Sequence, residues 1–143
     1  MRVVYIAAPV LWTMRFAAVE VYPREATGIL FGETRGDEFW VHGAVPYAEP
    51  ETRTRWATSA DASEAKAREF FDHRVIGSFH SHPEWNTTLS KGTPGADFEE
   101  MQEGDVEVIV AVWPGKRKPW CFREGAYTRI SEAAHRRVAV RVV

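Results

Sequence analysis

The sequence predicts a mixed α/β fold in which a curved, mostly antiparallel sheet is flanked by helices. Short apolar or alternating runs typical of strands recur along the chain, and one long stretch has apolar residues at helical spacing. A second stretch begins with the spacing of a helix capping box, at Asp61 and Glu64. The chain has 143 residues, 45% of them hydrophobic, which favours one domain with its own core, residues 1–143.

The first third of the chain predicts one helix among strands. Residues 3–7 favour a first strand, and Pro9 suits the first turn of the helix that follows. One apolar face of this helix is formed by Val10, Leu11, Met14, Ala17, Ala18 and Val21. Residues 28–32 and 38–45 favour two further strands, joined by a turn at residues 34–37.

The rest of the chain predicts a second helix and more strands. Residues 53–58 favour a short strand, 61–73 a helix and 75–79 a core strand. A short helix is expected to begin near Asp97. Further strands are expected at residues 106–113, 119–123 and 127–130. The tail, residues 137–143, alternates like an edge strand, which could pair with a second subunit in a homodimer.

Composition and charge argue against several kinds of partner. The net charge of −2 and the pI of about 6.2 favour neither nucleic acid nor an anionic membrane surface. No stretch approaches the ~18 apolar residues of a membrane span. The single cysteine, Cys121, lies between two aromatic residues and is expected to be a packed, inert thiol. A chain without an internal disulfide fits a reducing compartment, so we expect a cytoplasmic protein.

Two histidines at a strand end are the main candidate for chemistry. If the apolar run 75–79 is a strand, it carries into His80 and His82, whose side chains then point to the same face. Pro83 stops the strand, and the loop after it ends at an aspartate, Asp97. Two histidines and one carboxylate are a common ligand set for catalytic zinc. The alternative is a pair of surface histidines without a metal.

A second motif lies upstream of the histidines. Residues 23–32 fit the pattern Pro-x-Glu-x-x-Gly-x-Leu-x-Gly, and this block precedes the His-Ser-His-Pro sequence at 80–83. Together with Ser90 and Asp97, these blocks resemble the JAMM (MPN+) metalloproteases, also called the JAB family, in its bacterial branch. The resemblance extends over roughly residues 1–130, and the two blocks together are a specific signal.

The resemblance implies a function for five residues. It implies zinc held by His80, His82 and Asp97, with Glu25 as the catalytic acid and base outside the ligand set. Ser90 is implied to help hold the oxyanion of the tetrahedral intermediate. The family pattern Ser-x-x-Asp would put the third ligand at Thr93, a poor zinc ligand. We therefore expect an insertion of four residues between Ser90 and Asp97.

The resemblance also implies a class of substrate. It implies hydrolysis of an amide or isopeptide bond at the C-terminus of a ubiquitin-like or sulfur-carrier protein. Acidic residues after the site could attract a basic tail, but a solvated helix face explains them more simply. These residues are Glu99, Glu100, Glu103, Asp105 and Glu107.

Two alternatives belong to other functional classes. One is a catalytically inactive JAB/MPN-like scaffold or protein-binding module without metal. The other is a nucleic-acid role, supported only by the basic turn at residues 116–118.

Overall fold

The computed structural model describes residues 2–47, 74–90, 97 and 101–143. The described elements are β1 (Val3–Ile6), α1 (Ala8–Val21), β2 (Thr27–Arg35), β3 (Glu38–Tyr47), β4 (Arg74–His82), β5 (Val106–Pro114), β6 (Trp120–Arg129) and β7 (His135–Val142). The strand predicted at 53–58, the helix predicted at 61–73 and Thr93 lie outside the described residues. Within the described residues, no helix has the length and apolar character needed to span a membrane.

The strands close into a barrel, which contradicts the predicted mixed α/β class. Their order is β1-β3-β2-β4-β5-β6-β7, with parallel and antiparallel pairs, and α1 is the one helix among the described elements. The tail is not an edge strand, because β7 pairs with β6 on one side and in parallel with β1 on the other. This closure removes the free edge from which a homodimer was inferred.

The core is formed by one face of α1 and by alternate residues of the strands. The apolar face predicted for the helix is confirmed, since Val10, Leu11, Met14, Ala17 and Ala18 are buried in this core. Strand β5 contributes Val106, Val108, Val110 and Val112 to the same core. Because side chains alternate along a strand, Glu107 and Ile109 face the other side of the sheet.

The pairing of β4 brings the candidate site residues to one end of the barrel. Strand β4 is antiparallel to β2, with His80 opposite Thr27, and parallel to β5, with His82 opposite Ala111. The end of β4 therefore lies beside the start of β2, where the upstream motif is located. Gly28 of that motif allows this close packing, because a Cβ there would lie 2.1 Å from Cε1 of Phe79.

Candidate metal centre

His80 and His82 leave the end of β4 on the same face, as their spacing predicts. Their Nε2 atoms are 3.0 Å apart, and His80 is only 8% exposed. Asp97 completes the group, with Oδ1 3.1 Å from Nε2 of His80 and Oδ2 3.4 Å from Nε2 of His82. Atoms bound tetrahedrally to one zinc at about 2.0–2.1 Å lie about 3.3–3.4 Å apart. The three separations, 3.0, 3.1 and 3.4 Å, are equal to or slightly shorter than that spacing, so the side chains converge on a point that one ion could occupy.

The other nitrogen of each ring has a hydrogen-bond acceptor. Nδ1 of His80 donates to Oε2 of Glu107 at 2.9 Å, and Nδ1 of His82 donates to the backbone oxygen of Asn86 at 3.2 Å. A carbonyl or an ionised carboxylate can only accept, so each Nδ1 carries the proton. In the neutral rings both Nε2 lone pairs then point at each other and at Asp97. These lone pairs repel one another unless a proton or a metal cation lies between them. With Nδ1 protonated, Nε2 is the nitrogen available to a metal.

The electrostatics favour positive charge at this point. Burial opposes a charge on His80, but hydrogen bonds to Asp97 and Glu107 outweigh it and raise the pKa of His80 to about 10. Burial likewise opposes the charge on Asp97, yet the hydrogen bonds from His80 and His82 hold its pKa well below the usual range. The site is therefore built to hold an ionised carboxylate against a cation.

Ser90 and Asp97 are joined by two reciprocal hydrogen bonds. The N–H of Ser90 donates to Oδ2 of Asp97 at 3.0 Å, and the N–H of Asp97 donates to Oγ of Ser90 at 2.9 Å. This is the bonding pattern of a capping box, which normally joins residues three apart, whereas these two are seven apart. Ser90 and Asp97 are thus in contact although six residues separate them, and Asp97 contacts both histidines.

Glu25 lies beside the histidines but is exposed. One ligand atom from each of Glu25, His80 and His82 lies within 4.8 Å of the others, so Glu25 is an alternative third ligand on proximity alone. Asp97 is the better candidate, because its side chain is largely buried and within hydrogen-bonding distance of both rings. Ser81 fixes the segment after Glu25, accepting the N–H of Ala26 at 2.7 Å and donating its own N–H to Ala26 O at 2.9 Å. Glu25 is thus held next to the ligand group while facing solvent.

Two partners of the histidines were missed in the sequence. The sequence predicts that Glu107 is one of several solvated acidic residues, but it is 7% exposed and contacts His80. A signal was available, since Glu107 is the only charged residue in the apolar run 106–113. The carbonyl of Asn86 left no signal, because every residue carries a backbone oxygen.

Comparisons with known proteins bear on the fold alone. No protein-family model matches this chain, and no curated protein matches it. The solution structure of protein DSY2949 from Desulfitobacterium hafniense is similar, with a TM-score of 0.68 and 16% identity over 98% of this chain and 92% of that chain. The solution structure of a protein from Salinibacter ruber has a TM-score of 0.64 and 24% identity over 99% of this chain and 92% of that chain. The described barrel is therefore a fold that other proteins share.

Proposed function

We propose that this chain is a zinc-dependent metallopeptidase of the JAMM (MPN+) type, from the bacterial branch of that family. The observation that supports the proposal is the convergence of His80, His82 and Asp97 beside the exposed carboxylate of Glu25. We propose an amide or isopeptide bond at the C-terminus of a ubiquitin-like or sulfur-carrier protein as the substrate. This substrate class rests on the sequence resemblance. A cytoplasmic location is proposed because the single cysteine, Cys121, cannot form an internal disulfide.

His80, His82 and Asp97 would hold the zinc, leaving a fourth position open for water or substrate. Zinc in such a site supplies a Lewis acid and an activated water at neutral pH. The protein supplies the remaining groups. Glu25 is close enough to the ligand group to take a proton from the nucleophile, and its exposure lets it pass that proton to the leaving amine.

Ser90 fits two tasks at once. Its Oγ accepts the N–H of Asp97, which positions the proposed third ligand. The hydroxyl proton of Ser90 is not used in that bond, so it remains able to donate to a developing oxyanion. The insertion after Ser90 is therefore compatible with the role that the resemblance implies.

The test of the proposed function separates metal binding from turnover. We expect Glu25→Gln to keep about one zinc per chain and to lose about 10²–10⁴-fold in turnover, because it cannot accept a proton. Glu20→Gln, an exposed glutamate on α1, is the matched control and should change neither quantity. Zinc is measured by elemental analysis. Turnover is measured on ubiquitin-like and sulfur-carrier proteins extended at the C-terminus through an amide or isopeptide bond.

Three results would contradict the proposal. Full activity of Glu25→Gln would exclude its role as acid and base. Cleavage by metal-free protein would exclude zinc chemistry. A chain that binds zinc but cleaves none of these substrates would favour the inactive scaffold instead.

A further inference from the structure

Glu107 is a carboxylate in an otherwise apolar strand. Its neighbours Val106 and Val108 are buried, and Glu107 itself is 7% exposed. In the parallel pairing of β4 with β5 it lies opposite Ser78, on the face that carries His80. Burying a carboxylate is costly unless hydrogen bonds or a cation compensate for the lost water. The buried carboxylate of Glu107 therefore needs partners that compensate for its lost hydration.

Both oxygens of Glu107 are used. Oε1 accepts from Oγ of Ser78 at 2.6 Å, and Oε2 accepts from Nδ1 of His80 at 2.9 Å. These two donors, the ones found for Glu107 among the described residues, carry no permanent positive charge. The negative charge is therefore balanced through the His80 ring, either by a proton or by a cation bound at Nε2.

We infer that Glu107 is a positioning residue that fixes the His80 ring for metal binding, an inference that rests on the proposed zinc site. By accepting the Nδ1 proton, Glu107 keeps the Nε2 lone pair directed at the ion. Its charge also makes the imidazole a stronger donor to a metal. Loss of such an outer carboxylate typically lowers metal affinity by about 10–100-fold.

The test uses zinc itself as the probe. Zinc affinity of the full chain is measured by competition with a chromophoric chelator. Glu107→Gln should weaken zinc binding by about 10–100-fold, because the amide carries no charge and can turn its NH2 group towards Nδ1. The matched control is Glu124→Gln on β6, which loses an ion pair with Arg15 at 2.7 Å but has no part in the metal site. It should leave the affinity within about threefold of wild type.

A second readout reports on the ring directly. Long-range proton–nitrogen correlation spectra of the zinc-loaded chain identify which nitrogen of His80 carries the proton. Wild type should carry it at Nδ1, and the signal should shift in Glu107→Gln. A role in stability alone would not move this signal.

The outcomes separate this inference from the proposed function. Wild type that binds zinc, together with Glu107→Gln of unchanged affinity, would overturn the inference alone. An equal loss of affinity in Glu124→Gln would also overturn it, because the effect would then follow stability. Wild type without zinc affinity would overturn both. If Glu107→Gln does not fold, Glu107→Asp, which keeps the charge on a shorter chain, should bind zinc more weakly than wild type; unchanged affinity in it would overturn the inference.

Discussion

His80 and His82 point at the same place, but different parts of the molecule hold them there. His80 is held from the barrel wall, where the buried carboxylate of Glu107 on β5 accepts its Nδ1 proton. His82 is held from the loop after β4, where the backbone oxygen of Asn86 accepts the corresponding proton. The support of His80 is a charged side chain on a barrel strand, and the support of His82 is a main-chain atom in the loop after β4.

The loop after β4, which holds His82, is itself hydrogen-bonded to β6 and β7. The hydroxyl of Tyr127 donates to Thr87 O at 2.9 Å, and Arg137 donates to that hydroxyl at 3.1 Å and to Oγ1 of Thr87 at 3.0 Å. Leu89 packs with Ile109 and Tyr127 in a small apolar cluster on the same side. The comparison teaches that a single substitution can remove the support of His80, whereas the support of His82 is weakened only by releasing the loop.

The largest expected effect comes from removing each histidine. His80→Ala and His82→Ala should both reduce zinc from about one ion per chain to near zero, because a zinc site needs three protein ligands here. Their metal-free forms should differ, since His80→Ala leaves Oε2 of the buried Glu107 without a donor, at a cost of about 1–3 kcal/mol. His82→Ala leaves only an uncharged backbone oxygen, that of the half-buried Asn86, without its donor. Elemental analysis measures the zinc content, and denaturant unfolding measures the stability of the metal-free variants. Equal stability of metal-free His80→Ala and His82→Ala would contradict the proposed difference between the two supports.

A smaller effect is expected where β6 touches the loop. A Cβ at Gly125 would lie 2.7 Å from Oγ1 of Thr87 and 3.1 Å from Nη2 of Arg137, so Gly125→Ala displaces the anchored segment. Such overpacking typically costs about 1–3 kcal/mol of unfolding free energy. The substitution should also weaken zinc binding through His82, while the Nδ1 proton of His80 stays in place. Unchanged stability and zinc affinity would show that the loop does not depend on this contact.

The smallest expected effect is the loss of one hydroxyl. Tyr127→Phe removes the bond to Thr87 O and the acceptor of Arg137, and should cost about 1 kcal/mol of unfolding free energy. Hydrogen exchange should accelerate at the amides of residues 84–90 and stay unchanged in β4 and β5. Tyr5→Phe on β1, where the ring stacks on Trp40, is the matched control. Uniform acceleration across the barrel would contradict a local anchor.

Local patterns in the sequence predicted many of the elements but not how they close. The periodicity of Val10 to Val21 identified α1, and the alternation of residues 106–113 identified β5, because both patterns depend on near neighbours. The strands predicted at 119–123 and 127–130 are one strand, β6. Closure depends on the pairing of β1 with β7 at opposite ends of the chain. Alternation in the tail fits an edge strand and a closing strand equally, so the barrel could not be predicted.

For the candidate site too, local motifs predict some residues, and others depend on contacts between distant parts of the chain. His80, His82 and Glu25 lie in recognisable motifs, and the structure brings them together. Asp97 was expected from the start of a helix, and it contacts both histidines. The role of Glu107 depends on the register between β4 and β5, and the role of Asn86 depends on a main-chain atom. Neither the register nor that contact is visible in residue types alone.

The central claim is that His80, His82 and Asp97 bind one zinc ion, and anomalous diffraction at the zinc edge tests it most directly. Crystals of the full chain grown with zinc should show one strong anomalous peak about 2.0–2.1 Å from Nε2 of His80, Nε2 of His82 and a carboxylate oxygen of Asp97. Glu25 should lie outside the ligand set. A peak bound by Glu25 in place of Asp97, or no peak between the two imidazole rings, would contradict the account.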